Sequence, residues 1–290
     1  AAPRQWPCPE GHTQGRARLY ADGRFATPDG RARFALQLPG SVAEPTDARY
    51  PFALLTGRLR DQWHGMSRSG TVESLWAHAS EPRAEMHLAD MARLQLADGD
   101  LAYLTSRRGS IVVPVQASAT LAPGQVFLPM HWGDEVLGGA SSMGRRLAGV
   151  NALTTSARCP QSLQPELKHA ALKVLRAELP WGVWAQAWLP LAQVHRARQG
   201  LEALMAEFPF ASCSLFGRPE TGCGLQLRAA AHQAPDEALV ERIAAVLDLQ
   251  GAGLPSYRDA RRGQWRRARL QEEGGGQRLQ AMLLAGDVSA

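Results

Sequence analysis

Lysine is almost absent from this sequence, since all but two of its 32 cationic residues are arginines. Lys168 and Lys173 are the exceptions. A skew this strong, in a chain also rich in alanine, indicates the base composition of the genome more than a nucleic-acid surface. We therefore expect no nucleic-acid partner, although the net charge is +5. The alternative, a nucleic-acid-binding protein, depends on the arginine count alone and predicts binding that weakens steeply with salt.

Cysteine is scarce, and its spacing excludes the common metal motifs. The 290 residues include four cysteines, with no C-x-x-C pair and no histidines at metal-ligand intervals: Cys8, Cys159, Cys213 and Cys223. We therefore expect no structural zinc and no iron–sulfur cluster held by this chain alone. So few cysteines fit a reducing compartment better than a disulfide-rich secreted scaffold, and we predict a cytoplasmic location.

Long apolar runs are missing as well. Residues 181–192 come closest, but Gln186 and Pro190 interrupt them, and a membrane-spanning helix needs roughly 18 apolar residues. We expect no membrane partner. The sequence begins Ala1-Ala2-Pro3, with neither an initiator methionine nor a signal-peptide pattern, so we expect it to be part of a longer polypeptide.

Glycine and proline corners divide the chain into three predicted regions. Residues 1–49 predict an extended leading segment, with short strands at 17–19 and 32–38, that would pack on upstream domains absent from this sequence. Residues 50–178 contain short apolar runs separated by Asp-Gly, Arg-Gly and Pro-Gly corners, which predicts a β-barrel or β-sandwich. Residues 183–290 predict a smaller α+β domain of unknown role.

Within the last region, the spacing of apolar residues predicts both helices and strands. We expect one helix over residues 185–208, kinked at Pro190, and a second over 235–247, where Pro235 and two acidic residues suit a helix N-terminus. The expected strands are 212–216, 225–230, 256–259, 264–270 and 279–285.

One stretch concentrates polar side chains directly after an apolar strand, residues 50–55. Thr56 and Gly57 are followed by three arginines, a tryptophan and a histidine: Arg58, Arg60, Trp63, His64 and Arg68. Glycine lets the backbone approach a ligand, successive N–H groups can surround an anion, and guanidinium groups fork onto phosphate oxygens. The stretch suits a pocket for a large phosphate-bearing ligand, and an ordinary basic surface loop explains these residues alone equally well.

Two later segments also carry more polar side chains than folding requires. Residues 129–134 directly follow a predicted strand, and residues 150–155 are followed by Lys168. Alone, His131 would be a partly buried structural histidine and Asn151 a turn cap. Their position at strand ends favours a site, because a rigid barrel presents its loops there.

The order of these motifs resembles a known family. The sequence contains, in turn, Thr56-Gly57-Arg58 with Trp63-His64, Ser67-Arg68-Ser69-Gly70, Glu85-Met86-His87 with Asp90, Asp98-Gly99-Asp100, Ser106-Arg107-Arg108-Gly109 and Pro123-Gly124. This ordered set, over about residues 15–175, resembles the molybdopterin-dinucleotide-binding domain of molybdenum oxidoreductases. Residues 60–64, 129–133 and 151–154 are most similar to bacterial assimilatory nitrate reductase catalytic subunits.

The resemblance implies a mainly β chain, in which a double-psi β-barrel binds bis-molybdopterin guanine dinucleotide with molybdenum, together with upstream domains of the same polypeptide. The cofactor contacts implied by the family's pattern are Leu55, Thr56, Gly57, Arg58, Arg60, Asp61, Gln62, Trp63, His64, Arg68, Asn151 and Lys168. Met130 and His131 would lie beside the substrate funnel. The resemblance implies no catalytic residue and no metal ligand in this chain, and it places an iron–sulfur cluster in the parent protein only.

The implied activity is that of the parent, a nitrate reductase that converts nitrate to nitrite by two-electron oxygen-atom transfer. We expect the isolated chain to be inactive. A formate dehydrogenase-like molybdoenzyme is the nearest alternative, and an electron-donor docking or structural module is another. The donor would be a ferredoxin, a flavodoxin or an NADH-linked reductase.

A group of arginines near the C-terminus could bind such an acidic donor. Its members are Arg258, Arg261, Arg262, Arg266, Arg267 and Arg269. A solvated charged hairpin is the simpler explanation of the same residues.

Overall fold

The computed structural model describes residues 5–36, 38, 40–139, 149–218, 222–251 and 253–287. Residues 1–41 and 42–290 form two compact units.

The described residues of the first unit form turns and bends, with no helix or strand among them. The strands predicted at 17–19 and 32–38 are therefore wrong for the residues described. Phe34 and Leu36 are almost fully exposed. Without a neighbouring strand to pair with or a core to cover, an apolar alternation of this length does not stabilise a strand.

The second unit contains all the regular helices and strands of the described chain. Its strands are β1 (Phe52–Gly57), β2 (Ala84–His87), β3 (Leu101–Ser106), β4 (Ser110–Ser118), β5 (Gln125–Pro129), β6 (Leu137–Gly138), β7 (His169–Arg176), β8 (Trp181–Leu189), β9 (Phe210–Arg218), β10 (Gly222–Ala231), β11 (Ser256–Asp259), β12 (Gln264–Glu273) and β13 (Gly276–Asp287). Its α-helices are α1 (Leu88–Arg93), α2 (Leu191–Met205) and α3 (Glu237–Val246). None of the described helices is long and apolar enough to cross a membrane.

Six strands close a barrel in the order β1-β5-β2-β4-β3-β7. β1 pairs in parallel with β5, and β2 pairs in parallel with β4. In the sequence, both strands of the second pair lie between β1 and β5. In β1 the inward positions are Phe52, Leu54 and Thr56, which alternate with half-buried residues as the pleat of a strand requires. The prediction of a mainly β chain built on a closed barrel is confirmed.

The strand directions bring three connections to one end of the barrel. β1, β3 and β5 end there and β2, β4 and β7 begin there, because β1 and β5 are parallel, β2 and β7 run antiparallel to them, and β3 runs antiparallel to β7. The connections are loop 58–83, the hairpin turn 107–109, and the segment between β5 and β7, of which residues 130–139 and 149–168 are described. We call the described part of this segment loop 130–168. We call this end of the barrel the loop end.

The second sheet has the strand order β11-β12-β13-β8-β10-β9-β6. Its centre follows the split βαβ pattern of β8-α2-β9-β10-α3-β13, because β10 lies between β8 and β9, and β8 lies between β10 and β13. The hairpin strands β11 and β12 extend the β13 edge. At the other edge, β6 comes from loop 130–168 and pairs with β9. We call residues 181–287 the C-terminal module.

The first predicted helix of this region was wrong in its first part. Residues up to Leu189 form β8, in which Val183, Ala185 and Ala187 are buried at every second position. α2 begins only after Pro190. Proline is tolerated at this position because the first N–H groups of a helix have no intrahelical acceptor, so its missing N–H costs no hydrogen bond. The other helices and strands predicted for the C-terminal module are present. The division at residues 178–183 stays a prediction, since the two sheets share one continuous apolar core.

Candidate functional site

The end of β1 is fixed against both of its neighbours. Thr56 is buried, and its hydroxyl donates to the carbonyl of Leu167 at 2.8 Å, just before β7. The N–H of Met130, just after β5, donates to the carbonyl of Gly57 at 2.8 Å. A Cβ at Gly57 would lie 2.7 Å from Cε2 of Phe127, so a larger residue would displace this ring. β1, β5 and the residues before β7 therefore form one edge at the loop end.

Gln62 is buried inside loop 58–83. Its amide nitrogen donates to the carbonyl of Leu75 at 3.1 Å, and its amide oxygen accepts from the hydroxyl of Ser69 at 2.8 Å. The same hydroxyl accepts from the N–H of Trp63 at 3.0 Å. Because both ends of the amide are engaged within the loop, Gln62 maintains the shape of the loop. Its predicted contact with a cofactor stays a prediction.

Arg58, Trp63 and His64 form an exposed cationic and aromatic surface. The guanidinium carbon of Arg58 lies 4.9 Å from the centroid of the Trp63 ring, and the His64 ring lies 5.0 Å from it. His64, Gly65 and Met66 have φ angles of 48°, 60° and 65°, a left-handed turn that costs each non-glycine residue roughly 1–2 kcal/mol. Burial of Met66 stabilises this turn, which leaves Trp63 54% exposed.

The other charged residues of loop 58–83 differ in how far their charge is matched. Arg60 forks onto Asp61 at 2.8 and 2.9 Å, and this contact lowers the pKa of the Asp61 carboxyl. His78 lies 3.5 Å from the same carboxylate. Arg68 is exposed, as is Arg58. Arg58 and Arg68 therefore contribute more net positive charge to the loop end than Arg60 does.

His131 connects the end of β5 to loop 58–83. Its Nε2 accepts a long hydrogen bond of 3.4 Å from the N–H of Leu59. Burial lowers the pKa of His131, and the positive charge of Arg58 lowers it further. The imidazole is therefore neutral at pH 7, and with Nε2 accepting, Nδ1 carries the proton. Met130, the other predicted funnel residue, is half-buried beside it.

Asn151 reaches the loop end through a short turn. It is exposed within the 3₁₀ turn Val150–Ala152. A Cβ at Gly109 would lie 2.9 Å from the carbonyl oxygen of Ala152, so the turn lies directly against the hairpin turn 107–109. Arg108 also donates to the carbonyl of Leu153 at 2.8 Å.

Lys168 lies at the same end, exposed and directly before β7. Its neighbour His169 pairs with Leu55 of β1, the half-buried residue at the start of the predicted contact set. The fold thus brings every residue of that set to the loop end, although loop 58–83 and Lys168 are far apart in the sequence.

Glu44 also supports the loop end, and the sequence reasoning missed it. Its carboxylate accepts from both terminal nitrogens of Arg108, at 2.9 and 2.7 Å, and lies 3.1 Å from Nε of Arg107. The hydrogen bond from Arg108 lowers the pKa of Glu44, although burial opposes it. No local signal marks this residue, since Arg108 is 64 positions away.

Trp132 has a buried indole N–H with no hydrogen-bond acceptor in the described part of the chain. The residue is 2% exposed, and its ring meets that of Trp76 edge to face at 6.4 Å between centroids. A buried donor without an acceptor costs about 1–3 kcal/mol.

The side chains at the loop end suit a ligand that carries phosphates and planar rings. Arginine and lysine groups bind phosphate, an exposed indole stacks on a ring, and an amide pairs with ring heteroatoms. Two cavities, of about 810 and 640 Å³, lie among the described residues. None of the predicted contact residues lines either cavity, but Leu59, Trp76 and His78 of loop 58–83 line the smaller one.

The described residues contain no group of three or more His, Cys, Asp or Glu side chains that could hold a metal ion. Burial raises the pKa of Cys213 to about 12 and that of Cys223 to about 11. Both thiols are protonated at neutral pH, so neither is prepared to act as a thiolate ligand.

Comparison with known families finds one match around this site. Residues 52–171 match the family described as "Molydopterin dinucleotide binding domain". The resemblance predicted from the motifs is confirmed, and the match supports a molybdopterin cofactor.

The curated relatives include nitrate reductases. The chain is 40% identical over 176 residues to a nitrate reductase of Synechocystis sp., which covers 59% of the chain and 24% of that protein. It is 37% identical over 160 residues to a nitrate reductase of Klebsiella oxytoca, covering 55% and 17%. An F420-dependent formate dehydrogenase subunit alpha of Methanocaldococcus jannaschii is 31% identical over 171 residues, covering 59% and 23%. The matched region is less than a quarter of each relative's length.

Other relatives carry the names of assimilatory and of periplasmic nitrate reductases. Among solved structures, acetylene hydratase from Pelobacter acetylenicus matches 44% of the chain and 18% of its own at 16% identity, with a TM-score of 0.36. A likeness this low carries no argument.

Proposed function

We propose that this chain is the cofactor-binding part of a molybdenum-dependent assimilatory nitrate reductase, and that a bis-molybdopterin guanine dinucleotide binds at the loop end of its barrel. One observation carries the proposal: residues recognised separately in the sequence, from Leu55 to Lys168, meet at this end. When bound, the cofactor supplies the molybdenum redox chemistry of nitrate reduction.

The chain's own residues would bind and orient that group. Arg58, Arg68 and Lys168 are exposed cations that can pair with its phosphates. Trp63 offers an exposed ring face for stacking, and the amide of Asn151 can both donate to and accept from ring heteroatoms. Hydrogen bonds of Thr56, Gln62 and Gly57 to neighbouring backbone groups fix the shape of this surface.

His131 would take part in orienting the substrate. Its Nε2 accepts from Leu59, so its Nδ1–H is the donor that an oxyanion could accept. Because its pKa is lowered, this group donates without carrying a charge at neutral pH. Met130 would supply an apolar wall beside it.

Nitrate is the substrate that the relatives favour. The nitrate reductases are 40% and 37% identical over the shared region, against 31% for the formate dehydrogenase subunit. The cytoplasmic location, the guanine form of the dinucleotide and an iron–sulfur cluster in the parent protein belong to the same proposal. A formate dehydrogenase-like parent is the second candidate, since one relative bears that name.

An assay of the parent polypeptide tests this proposal. The polypeptide that contains this sequence, purified from its native cells, should contain molybdenum and reduce nitrate with reduced methyl viologen. The same preparation should not oxidise formate with a dye acceptor. Formate oxidation without nitrate reduction would make the second candidate correct. The isolated 290-residue chain serves as a control and should reduce no nitrate.

The electron donor would be a ferredoxin, a flavodoxin or an NADH-linked reductase. The arginines predicted to bind it are mostly matched within the chain: Arg258 with Glu237 at 2.5 Å, Arg267 with Glu241 at 2.5 Å, Arg269 with Asp248, and Arg262 with Asp259 at 3.9 Å. Arg266 lies over the Tyr257 ring at 5.9 Å. This matching favours the solvated hairpin over a donor-docking surface, so we assign the donor no place on this module.

A further inference from the structure

We infer that the C-terminal module positions the cofactor surface, by holding loop 58–83 and loop 130–168 at a fixed distance from each other. Arg198 and Glu81 are the positioning residues. The inference deepens the proposed function and depends on it for the identity of the ligand. It gives residues 181–287 a role other than docking a donor.

Loop 130–168 is joined to the module through its main chain. β6 pairs with β9 as an edge strand, with Leu137 opposite Ser212. The N–H of Cys213 donates to the carbonyl of Val136 at 2.9 Å. A Cβ at Gly139 would lie 2.3 Å from the carbonyl oxygen of Pro209, so the two backbones lie in direct contact. This attachment begins only a few residues after His131.

Arg198 of α2 reaches both loops. Its side chain is 16% exposed, and its guanidinium donates to the carbonyl of Gly70 in loop 58–83 at 3.1 Å. Another of its nitrogens lies 4.0 Å from the carboxylate of Glu135 in loop 130–168. Glu202, one helical turn away, holds the guanidinium in place at 3.1 Å. One arginine of the module therefore contacts the two loops at once.

Glu81 makes the second attachment of loop 58–83. It is 7% exposed, and its carboxylate accepts from Arg228 of β10 at 2.6 Å and from the hydroxyl of Ser212 of β9 at 3.3 Å. Ser212 is also the residue that pairs with Leu137. Both loops are thus attached to the same position of β9, one by side chain and one by backbone.

These attachments are close along the chain to the residues proposed to bind the cofactor. Gly70 follows Arg68 by two positions, and its carbonyl also accepts from the indole N–H of Trp76 at 3.3 Å. The ring of Trp76 meets that of Trp132, which adjoins His131. Binding groups carried on loops need such support, because a displacement of about 1 Å can abolish a productive geometry.

Hydrogen exchange and nucleotide binding test the inference on the complete chain. We would compare Arg198→Gln with Arg196→Gln, a matched change at an exposed arginine on the same helix. In Arg198→Gln, the amides of Trp63 and Met66, which donate within the loop, should exchange about tenfold faster, the change expected for about 1.4 kcal/mol of lost local stability. Arg196→Gln should leave both amides unchanged.

Guanosine diphosphate is the binding probe, as the nucleotide part of the proposed ligand. Arg198→Gln should weaken its binding severalfold. Arg267→Gln removes a comparable ion pair elsewhere in the C-terminal module, and it should lower the thermal midpoint without weakening the binding, which separates positioning of the loops from a general loss of stability. Arg198→Lys, which keeps a donor to Gly70, should restore part of the affinity. Glu81→Gln provides an independent disruption from the other attachment and should also speed exchange in loop 58–83.

Two results would contradict different statements. If Arg198→Gln and Glu81→Gln both exchange at the rate of Arg196→Gln, the module does not position the loop and the inference is wrong. If the unaltered chain binds no guanosine diphosphate, the assignment of the nucleotide part of the ligand to the loop end is wrong, and the exchange rates still decide whether the module fixes the loops.

Discussion

Two arginine-rich segments of this chain look alike in sequence and differ in how their charge is used. In loop 58–83, Arg58 stacks on Trp63 and Arg68 is exposed, so positive charge faces solvent at the loop end. In the hairpin of β12 and β13, Arg267 forks onto Glu241, a residue of α3 that lies 26 positions earlier. The difference arises from carboxylates that another element supplies. A local count of arginines therefore does not distinguish a binding surface from a structural one.

The largest loss of unfolding free energy is expected from breaking an arginine–carboxylate pair at the loop end itself. Glu44→Gln leaves Arg108, which also binds the carbonyl of Leu153, without its carboxylate. Because Glu44 is 12% exposed, we expect the free energy of unfolding to fall by about 2–3 kcal/mol. Urea unfolding measures this, with Glu178→Gln, 80% exposed, as the control that should change little. Equal stability of the two variants would show that the Arg108 pair contributes nothing to the barrel.

A smaller effect is expected in the hairpin of the C-terminal module. Arg267→Gln removes both hydrogen bonds to Glu241 at a side chain that is 27% exposed, and should cost about 1 kcal/mol of unfolding free energy. Arg261→Gln changes an exposed side chain and should cost less than about 0.5 kcal/mol. If the two variants unfold at the same urea concentration, the pair of Arg267 with Glu241 does not stabilise the module. The contrast drawn between structural arginines in the hairpin and exposed arginines in loop 58–83 would then be wrong for the hairpin.

Substitutions in loop 58–83 and in the hairpin of β12 and β13 should differ most clearly when unfolding free energy and nucleotide affinity are both measured. Arg58→Gln should leave the unfolding free energy within about 0.5 kcal/mol and weaken guanosine diphosphate binding up to about tenfold, the loss for one charge-assisted contact. Arg267→Gln should show the reverse, with lower stability and unchanged affinity. Calorimetric titration of both variants checks this. Loss of affinity in Arg267→Gln alone would place the nucleotide on the C-terminal module.

Much of the barrel could be predicted because its signals are local. Short apolar runs end at corners such as Asp98-Gly99 and Pro123-Gly124, where Gly99 and Gly124 have φ angles of 88° and 81° that other residues rarely adopt. The residues predicted to contact the cofactor carry a similar local signal, since most of them follow the end of β1. Their convergence depended on the parallel pairing of β1 with β5, which the motif order implied through the family and not through the residues themselves.

The rest depended on contacts between distant residues. Ala185, Ala187 and Leu189 favour a helix by propensity, but they lie in β8, whose two edges pair with β10 and β13. The attachments made by Glu44 and Glu81 could not be predicted either, because their arginine partners lie 64 and 147 positions away. Within the C-terminal module, the carboxylates that match Arg258, Arg267 and Arg269 lie 21 to 26 positions away, so a local arginine count did not reveal them either.

The smallest effect concerns the charge that Arg58 exerts on His131. Burial and Arg58 together lower the pKa of His131, so the folded chain takes up this proton at a lower pH than the unfolded chain, in which the pKa is about 6.5. The stability that depends on the neutral imidazole is therefore complete above about pH 6.5 and is lost as the pH falls through the lowered value. His131→Gln should remove this part of the pH dependence of urea unfolding.

Arg58→Gln provides the sharper measurement, because it removes one of the two causes and leaves the other. The pKa of His131, followed by the chemical shift of its imidazole, should rise towards its ordinary value but stay below it, since burial is the larger cause. Arg60→Gln is the matched control, because the guanidinium of Arg60 is already forked onto Asp61. If Arg60→Gln moves the pKa of His131 as far as Arg58→Gln does, the charge of loop 58–83 acts as a diffuse field. The contrast between its matched and exposed arginines would then not hold.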